Sequence, residues 1–310
     1  MNGLFIAFSN SLTALALCIA IGFFCRRRQI INDAHTEGLT KILVKAAMPS
    51  AVFMSLMRPF STALLLESMA TFFITGAIFL IGGVLGIGVA RMMKASIEER
   101  KSWRFGLMFG NIGFMGIPIV TAVFGYEGLF YVAMALASFN LITFTIGIKI
   151  FDTEGVMKMH PLQVLKNNPA LVCTIIGFVF FLTGLRLPTP IEDGVSLIAG
   201  MNSPLSMILI GALMAKYPLK DTFTDIRVLP PNVVKLVLIP LASLLVLRPF
   251  IQNPVMLGVI ITLMAMPPAA NTAIFAEEFG SGGDSMSATR LVIVGTLLCV
   301  ITVPLISLLL

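Results

Sequence analysis

Two proline-bearing segments hold most of the chemistry that this sequence can offer. One reads Gly110-Asn111-Ile-Gly113-Phe-Met-Gly116-Ile-Pro118 and the other Met266-Pro267-Pro268-Ala-Ala-Asn271. A proline inside a helix brings no N–H and pushes away the carbonyl four residues back. Pro118 would therefore free the carbonyl of Phe114, and Pro267 and Pro268 those of Leu263 and Met264. A helix broken in this way presents N–H groups and the positive end of its dipole, which favour an anion. Asn111 and Asn271 lie beside the two breaks and add neutral amide donors. A single proline would read as a kink, but paired interruptions point to a binding site. Gly110 and Gly113 read as positions of close helix packing, and Gly116 as part of the ligand segment.

The remaining polar residues are few. Asn140 and Asn202 fall in mid-run, where an amide can bind a neighbouring helix or a ligand; Ser203 follows Asn202, and Pro49 interrupts an earlier run. Lys41 and Lys45 are one turn apart and would snorkel to an interface. Glu67 reads as a solvated charge at a helix start, as do Glu277 and Glu278 at a helix end. His35 and His160 are far apart. Cys18, Cys25, Cys173 and Cys299 show no CxxC spacing, so neither a disulfide framework nor a zinc site is indicated. No nucleophile with a partnering base can be assembled, so no enzyme, cofactor or metal is expected.

The elements that must position these residues are set by composition. Of 310 residues 57% are hydrophobic and 12% charged, with a mean hydropathy of +0.99, far from the roughly 25% charged of a soluble domain. Only a bilayer can accommodate that much apolar surface, on condition that backbone groups pair within each segment. Runs long enough to cross about 30 Å of hydrocarbon extend from Leu4 to Cys25, Gly38 to Met57, Ser68 to Met92, Arg104 to Phe124, Leu129 to Phe151, Ala170 to Leu187, Val195 to Tyr217, Val233 to Phe250, Val255 to Phe279 and Ala288 to Leu310. The first has no basic residues before it and is retained as a span rather than read as a signal peptide. An all-α integral membrane protein of about ten helices is the fold expected.

The net charge of +6 is spread over short loops, which argues against nucleic acid. Sixteen of the 21 Lys and Arg fall in alternate connections, Lys235 being counted with one of them, and only Arg58, Arg186 and Arg248 in the others. Basic loops mark the cytoplasmic side, so both termini are expected outside. Features also recur five spans apart. Pro49 in the second run is echoed by Asn202-Ser203-Pro204 in the seventh, and Pro118 in the fourth by Pro267 and Pro268 in the ninth. Two five-helix repeats, residues 1–151 and 169–310, would then be inverted relative to each other, joined by a cytoplasmic linker at 152–168.

These motifs resemble the auxin efflux carrier family, plant carriers and bacterial organic-acid permeases of the malate and malonate type, within the wider bile acid and arsenite transporter superfamily. The resemblance rests on Asn111-Ile-Gly-Phe-Met-Gly-Ile-Pro118, on Asn168-Pro169, on Met266-Pro267 with Ala273-Ile-Phe-Ala-Glu-Glu-Phe-Gly280, and on the last span from Arg290 to Pro304. It implies crossing fourth and ninth helices, elevator-like alternating access, and an anion site at Asn111, Pro118 and Pro267. It also likens Glu67 to an acidic residue of the plant members, a candidate for coupling. The short linker favours the bacterial organic-acid branch over auxin carriers. A secondary transporter of a small mono- or dicarboxylate is the function expected, with proton or sodium as candidate coupling ion, lipid as surroundings and a homodimer as an assembly to be considered. A cation/proton antiporter on a similar scaffold would want mid-span carboxylates where this chain has asparagines. For a channel or membrane receptor the sequence offers no pore-lining charge ring and no attached signalling domain.

Overall fold

The computed structural model describes residues 2–151, 168–216, 226–279 and 282–310; these are helical apart from short connections and one isolated β-bridge. The expected linker therefore lies outside the described residues except for Asn168. The helices are α1 Asn2–Arg27, α2 Asp33–Leu56, α3 Thr62–Met92, α4 Ile97–Met108, α5 Ile112–Phe151, α6 Pro169–Thr183, α7 Thr189–Ala215, α8 Ile226–Leu247, α9 Pro254–Met264, α10 Asn271–Phe279 and α11 Gly282–Ser307. Among the described residues six helices are long and apolar enough to cross a membrane, namely α2, α3, α5, α7, α8 and, over Met286–Ser307, α11. Large apolar side chains such as Phe73, Leu245 and Phe250 point outward and are two-thirds or more exposed. Water would penalise that surface and lipid does not.

Several of the helices are not uniform rods. Pro49, Pro118 and Pro240 each sit two residues beyond a π-turn, at 43–47, 112–116 and 234–238. Each turn ends in an i→i−5 bond: Met48 N–H to Leu43 O, Ile117 N–H to Ile112 O, and Ile239 N–H to Val234 O. The widened turn makes room for the proline ring, so these helices continue where an α-ladder would clash. Pro118 accordingly does not break its helix, contrary to expectation. The interruption lies upstream at 109–111, between α4 and α5. At 40 residues α5 is too long for one crossing. It is divided at Gly125, whose φ of 61° and ψ of −156° lie in a region open essentially to glycine alone.

Packing separates two groups of helices. In one, α1 lies against α7, and α2 against α6 and α7. Gly22 and Gly211 allow the α1–α7 approach, since a Cβ at either would run into the backbone of Ile208 or Ile19. In the other, α3 packs on α4 and α5, and α11 on α4 and α10, with α9 against α5; α5 touches both groups. Phe105, Phe109, Phe139 and Phe79 form a ring cluster with centroids 4.7–6.1 Å apart, locking α3, α4 and α5 behind the break.

Candidate functional site

The two interruptions, 109–111 and 265–270, meet and satisfy one another. The N–H of Asn111 donates to Pro267 O at 2.7 Å and the N–H of Ala269 to Phe109 O at 3.0 Å, on either side of an antiparallel bridge between Gly110 and Pro268. These two residues form the non-hydrogen-bonded pair, in which neither N–H is used, so proline is acceptable there. The same narrow pair leaves little space for a side chain on Gly110. A Cβ there would lie 3.3 Å from Leu263 O and from Met266 Cβ. Backbone groups that the two breaks would otherwise leave orphaned are thus partly satisfied across the crossing.

Two helix N-termini leave this crossing, those of α5 and α10, and a cavity of about 200 Å³ opens beside them. It is lined by the break residues Gly110 to Phe114 and Ala269 to Asn271, by Val44 and Met48 of α2, by Leu136, Phe139, Asn140 and Phe144 of α5, and by Asn168 and Ala170. Four asparagines therefore line one small cavity. Asn111 Oδ1 caps α5 by accepting from Phe114 N–H at 3.2 Å, and Asn168 Oδ1 caps α6 by accepting from Leu171 N–H at 3.1 Å. In both, the cap occupies the oxygen and leaves the amide N–H₂ as a donor. Such a chamber, apolar walls with a few convergent neutral donors and two positive helix ends, can desolvate and hold a small anion. A second cavity of about 190 Å³ lies between α7, α10 and α11; Asn111 and Ala270 line both.

The structure brings Asn111, Pro267, Pro268 and Asn271 together at the crossing. It places the other expected site residues elsewhere. Gly116 is a packing position, where a Cβ would meet Leu263 Cδ2 at 2.8 Å. Pro118 is buried behind the π-turn, and Pro49 is buried in α2 next to Met48. Asn202 and Ser203 line a separate cavity of about 80 Å³ with Thr121 and Tyr126. Asn202 is 1% exposed, and neither of its amide atoms, nor Thr121 Oγ1, has a partner among the described residues.

Two charged residues depart from their expected surroundings. Glu67 is not a solvated end charge. Tyr131 Oη donates to it at 2.5 Å, and Asn253 Nδ2 donates to both carboxylate oxygens, at 3.2 and 3.1 Å. Asn253 Oδ1 at the same time caps α9 through Val255 and Met256 N–H, so the cluster ties α3, α5 and α9. Lys235 does not lie in a basic loop. It is 1% exposed within the π-turn of α8, and its Nζ donates to Leu107 O in the last turn of α4 at 3.3 Å. A lysine five residues before a proline inside an apolar run was the available sign.

Residues 7–164 and 156–307 match the family described as membrane transport protein. The chain is 23% identical to the uncharacterized transporter YfdV of Escherichia coli (strain K12) over 308 residues, 96% of each chain. It is 22% identical to an uncharacterized transporter of Methanothermobacter thermautotrophicus over 307 residues, 97% of this chain and 98% of that one. It is 24% identical, over 220 residues and 68% of each chain, to a protein of Rhizobium meliloti named "Putative malonate transporter".

Proposed function

The chain belongs to the membrane transport protein family, that of the auxin efflux carriers, and from this premise we propose that it is a secondary active transporter for a small organic anion. The observation that carries the reading is the pairing of two helix breaks beside a cavity lined by four asparagines. Half-helix N-termini at mid-membrane are a recurrent transporter device for anionic groups. The cavity is smaller than the roughly 300 Å³ at which sites for drug-sized ligands begin, in keeping with a mono- or dicarboxylate of a few carbons. The name of the Rhizobium meliloti relative points the same way. The lining residues are neutral, which fits an incoming anion better than the cation exchanged by an antiporter.

In this reading the breaks belong to the fourth and ninth of ten spans, and the division at Gly125 separates the fourth from the fifth. Two five-helix repeats are inverted, the termini are extracytoplasmic, and Asn111, Asn271, Pro267 and Pro268 hold the substrate. The α1, α2, α6 and α7 group acts as scaffold, and the group bearing the crossing moves against it. The cavity at Asn202, Ser203 and Thr121 lies on the same moving boundary and gives the substrate its second stop. Gly116, Pro118 and Pro49 shape the helices that present the site, and Glu67 serves coupling through its cluster with Tyr131 and Asn253. The test is uptake of labelled acetate, propionate, malonate, malate and succinate into proteoliposomes with and without a proton or sodium gradient. Accumulation of at least one of them against its gradient is expected; absence of uptake for every acid under every gradient would overturn the reading.

A further inference from the structure

Among the described residues, the Lys235 ammonium has a single hydrogen-bond partner, the carbonyl of Leu107, and it is 1% exposed. An ionisable group in this setting is rare because desolvating it is expensive, and a functional role is the default reading. The elements packed against its π-turn are the rest of α8, α11 and α4. Their charged residues with described side chains are Arg227 at the start of α8, Arg290 of α11, and Glu99, Arg100, Lys101 and Arg104 of α4. Glu99, the one carboxylate among these, is engaged by Arg227 at 3.1 Å and by the N–H of Ser96. No anion on these elements neutralises Lys235 among the described residues.

Its location says what could. Leu107 precedes Asn111 by four residues, a reach of at most about 14 Å. One turn before Lys235, Asn232 lies against the same crossing: a Cβ on Gly295 would meet both Asn232 Oδ1, at 2.5 Å, and Pro268 Cδ, at 2.6 Å. The α8 π-turn therefore sets a positive charge behind the crossing, at the carbonyl end of α4, while the asparagines line the cavity. As a cap, the ammonium offsets the negative end of the α4 dipole. As a charge, it raises the potential at the site where two helices begin.

We propose that Lys235 is the residue that makes the crossing prefer anions and rank them by charge, acting through space behind the α4 terminus and not by contact with substrate. This rests on the organic-anion reading above. At about 14 Å, the outer limit of that reach, and an effective dielectric near 20, one positive charge favours each unit of negative charge by roughly 7-fold in affinity. A dianion should feel about the square of that factor.

The experiment compares propionate and malonate binding at pH 6.5 to purified wild type, Lys235→Arg and Lys235→Gln in detergent, by calorimetry. Lys235→Gln should lose about 7-fold for propionate and the square of its own propionate loss for malonate. Lys235→Arg should stay within about threefold for both. The malonate-to-propionate ratio is internal to each preparation, so partial misfolding cancels. Should Lys235→Gln fail to insert, Lys235→Met, uncharged and of similar length, replaces it in the same comparison. Equal losses for the two acids would reduce Lys235 to a structural cap, and unchanged affinities would remove it from the site; either overturns the proposal. If wild type binds neither acid, the organic-anion reading fails and this inference falls with it, an outcome distinct from the other two.

Discussion

Asn111 is bonded to Pro267 by its main chain and to Phe114 by its side chain, so one residue joins the two breaks and caps the helix that leaves them. Its Oδ1 is spent on the cap, which leaves its Nδ2 as a donor at a residue that lines the cavity. Substitution can separate these duties. Asn111→Asp retains a capping oxygen but replaces the donor with a negative charge. Thermal stability in detergent should stay near wild type while anion binding is lost. Asn111→Ala loses both: about 1 kcal/mol of stability from the cap and about 1–3 kcal/mol of ligand affinity. Substrate-dependent thermal shifts read both quantities, and wild-type affinity in Asn111→Asp would return the residue to a purely structural role.

The Glu67 cluster predicts a second set of outcomes. Tyr131→Phe removes the phenol that donates to the carboxylate and should cost about 1.5–3 kcal/mol, the range for a hydrogen bond to a charged group. Asn253→Asp keeps the α9 cap but sets a second carboxylate against Glu67, so it should be more damaging than Tyr131→Phe. Adding Glu67→Gln to Asn253→Asp should recover part of the loss. A double-mutant cycle on melting temperatures checks this, and strictly additive effects would show that the two side chains do not interact.

Gly125 offers a test of the backbone alone. A Cβ there meets nothing within 4 Å, yet φ is 61° with ψ at −156°. Gly125→Ala should therefore destabilise by about 1–3 kcal/mol with no clash to blame. Gly184 also has open surroundings, but its φ of 69° and ψ of 10° fall in the ordinary left-handed region. There Gly184→Asn should be nearly neutral, because asparagine tolerates that conformation. Comparable melting temperatures for Gly125→Ala and wild type would mean that α5 can bend by another route.

What could be read from the sequence follows from what bilayers and prolines constrain locally. Apolar runs of about 20 residues located most of the helices, and the Met266-Pro267-Pro268 segment located a break because two successive prolines remove two donors from one turn. Pro118 misled because a π-turn accommodates a proline at the expense of one extra residue, an adjustment that depends on tertiary packing and leaves no local mark. The true interruption, Phe109 to Asn111, contains no proline. It is held open by pairing with 267–269, a contact between residues about 160 apart. Glu67 and Lys235 were misplaced for a related reason: charge near the end of an apolar run reads as solvated until the partners, Tyr131 with Asn253 or the Leu107 carbonyl, come from distant helices.

Pro118 and Pro267 therefore act by different means, and their alanine variants should differ. At Pro267 the residue lies in the crossing itself, and its carbonyl receives the Asn111 N–H. Alanine supplies an N–H that can bond to Leu263 O and extend α9 by a turn, drawing position 267 into the helix and releasing Asn111. Pro267→Ala should thus abolish most anion transport while leaving insertion intact. At Pro118 alanine supplies an N–H that can bond to Phe114 O, which relaxes the π-turn at 112–116 toward an α-turn. Removing that one-residue bulge rotates the preceding segment by about 100°, the angle of one helical residue. Asn111 would then swing away from its cavity, and Pro118→Ala should weaken substrate affinity without abolishing turnover at saturating substrate. Initial rates in proteoliposomes across a range of substrate concentrations, normalised to protein inserted, distinguish the two: a raised KM for Pro118→Ala and a collapsed maximal rate for Pro267→Ala. Near-normal transport by both would mean that the crossing holds its shape without either proline, and the site would have to be sought at the Asn202 cavity.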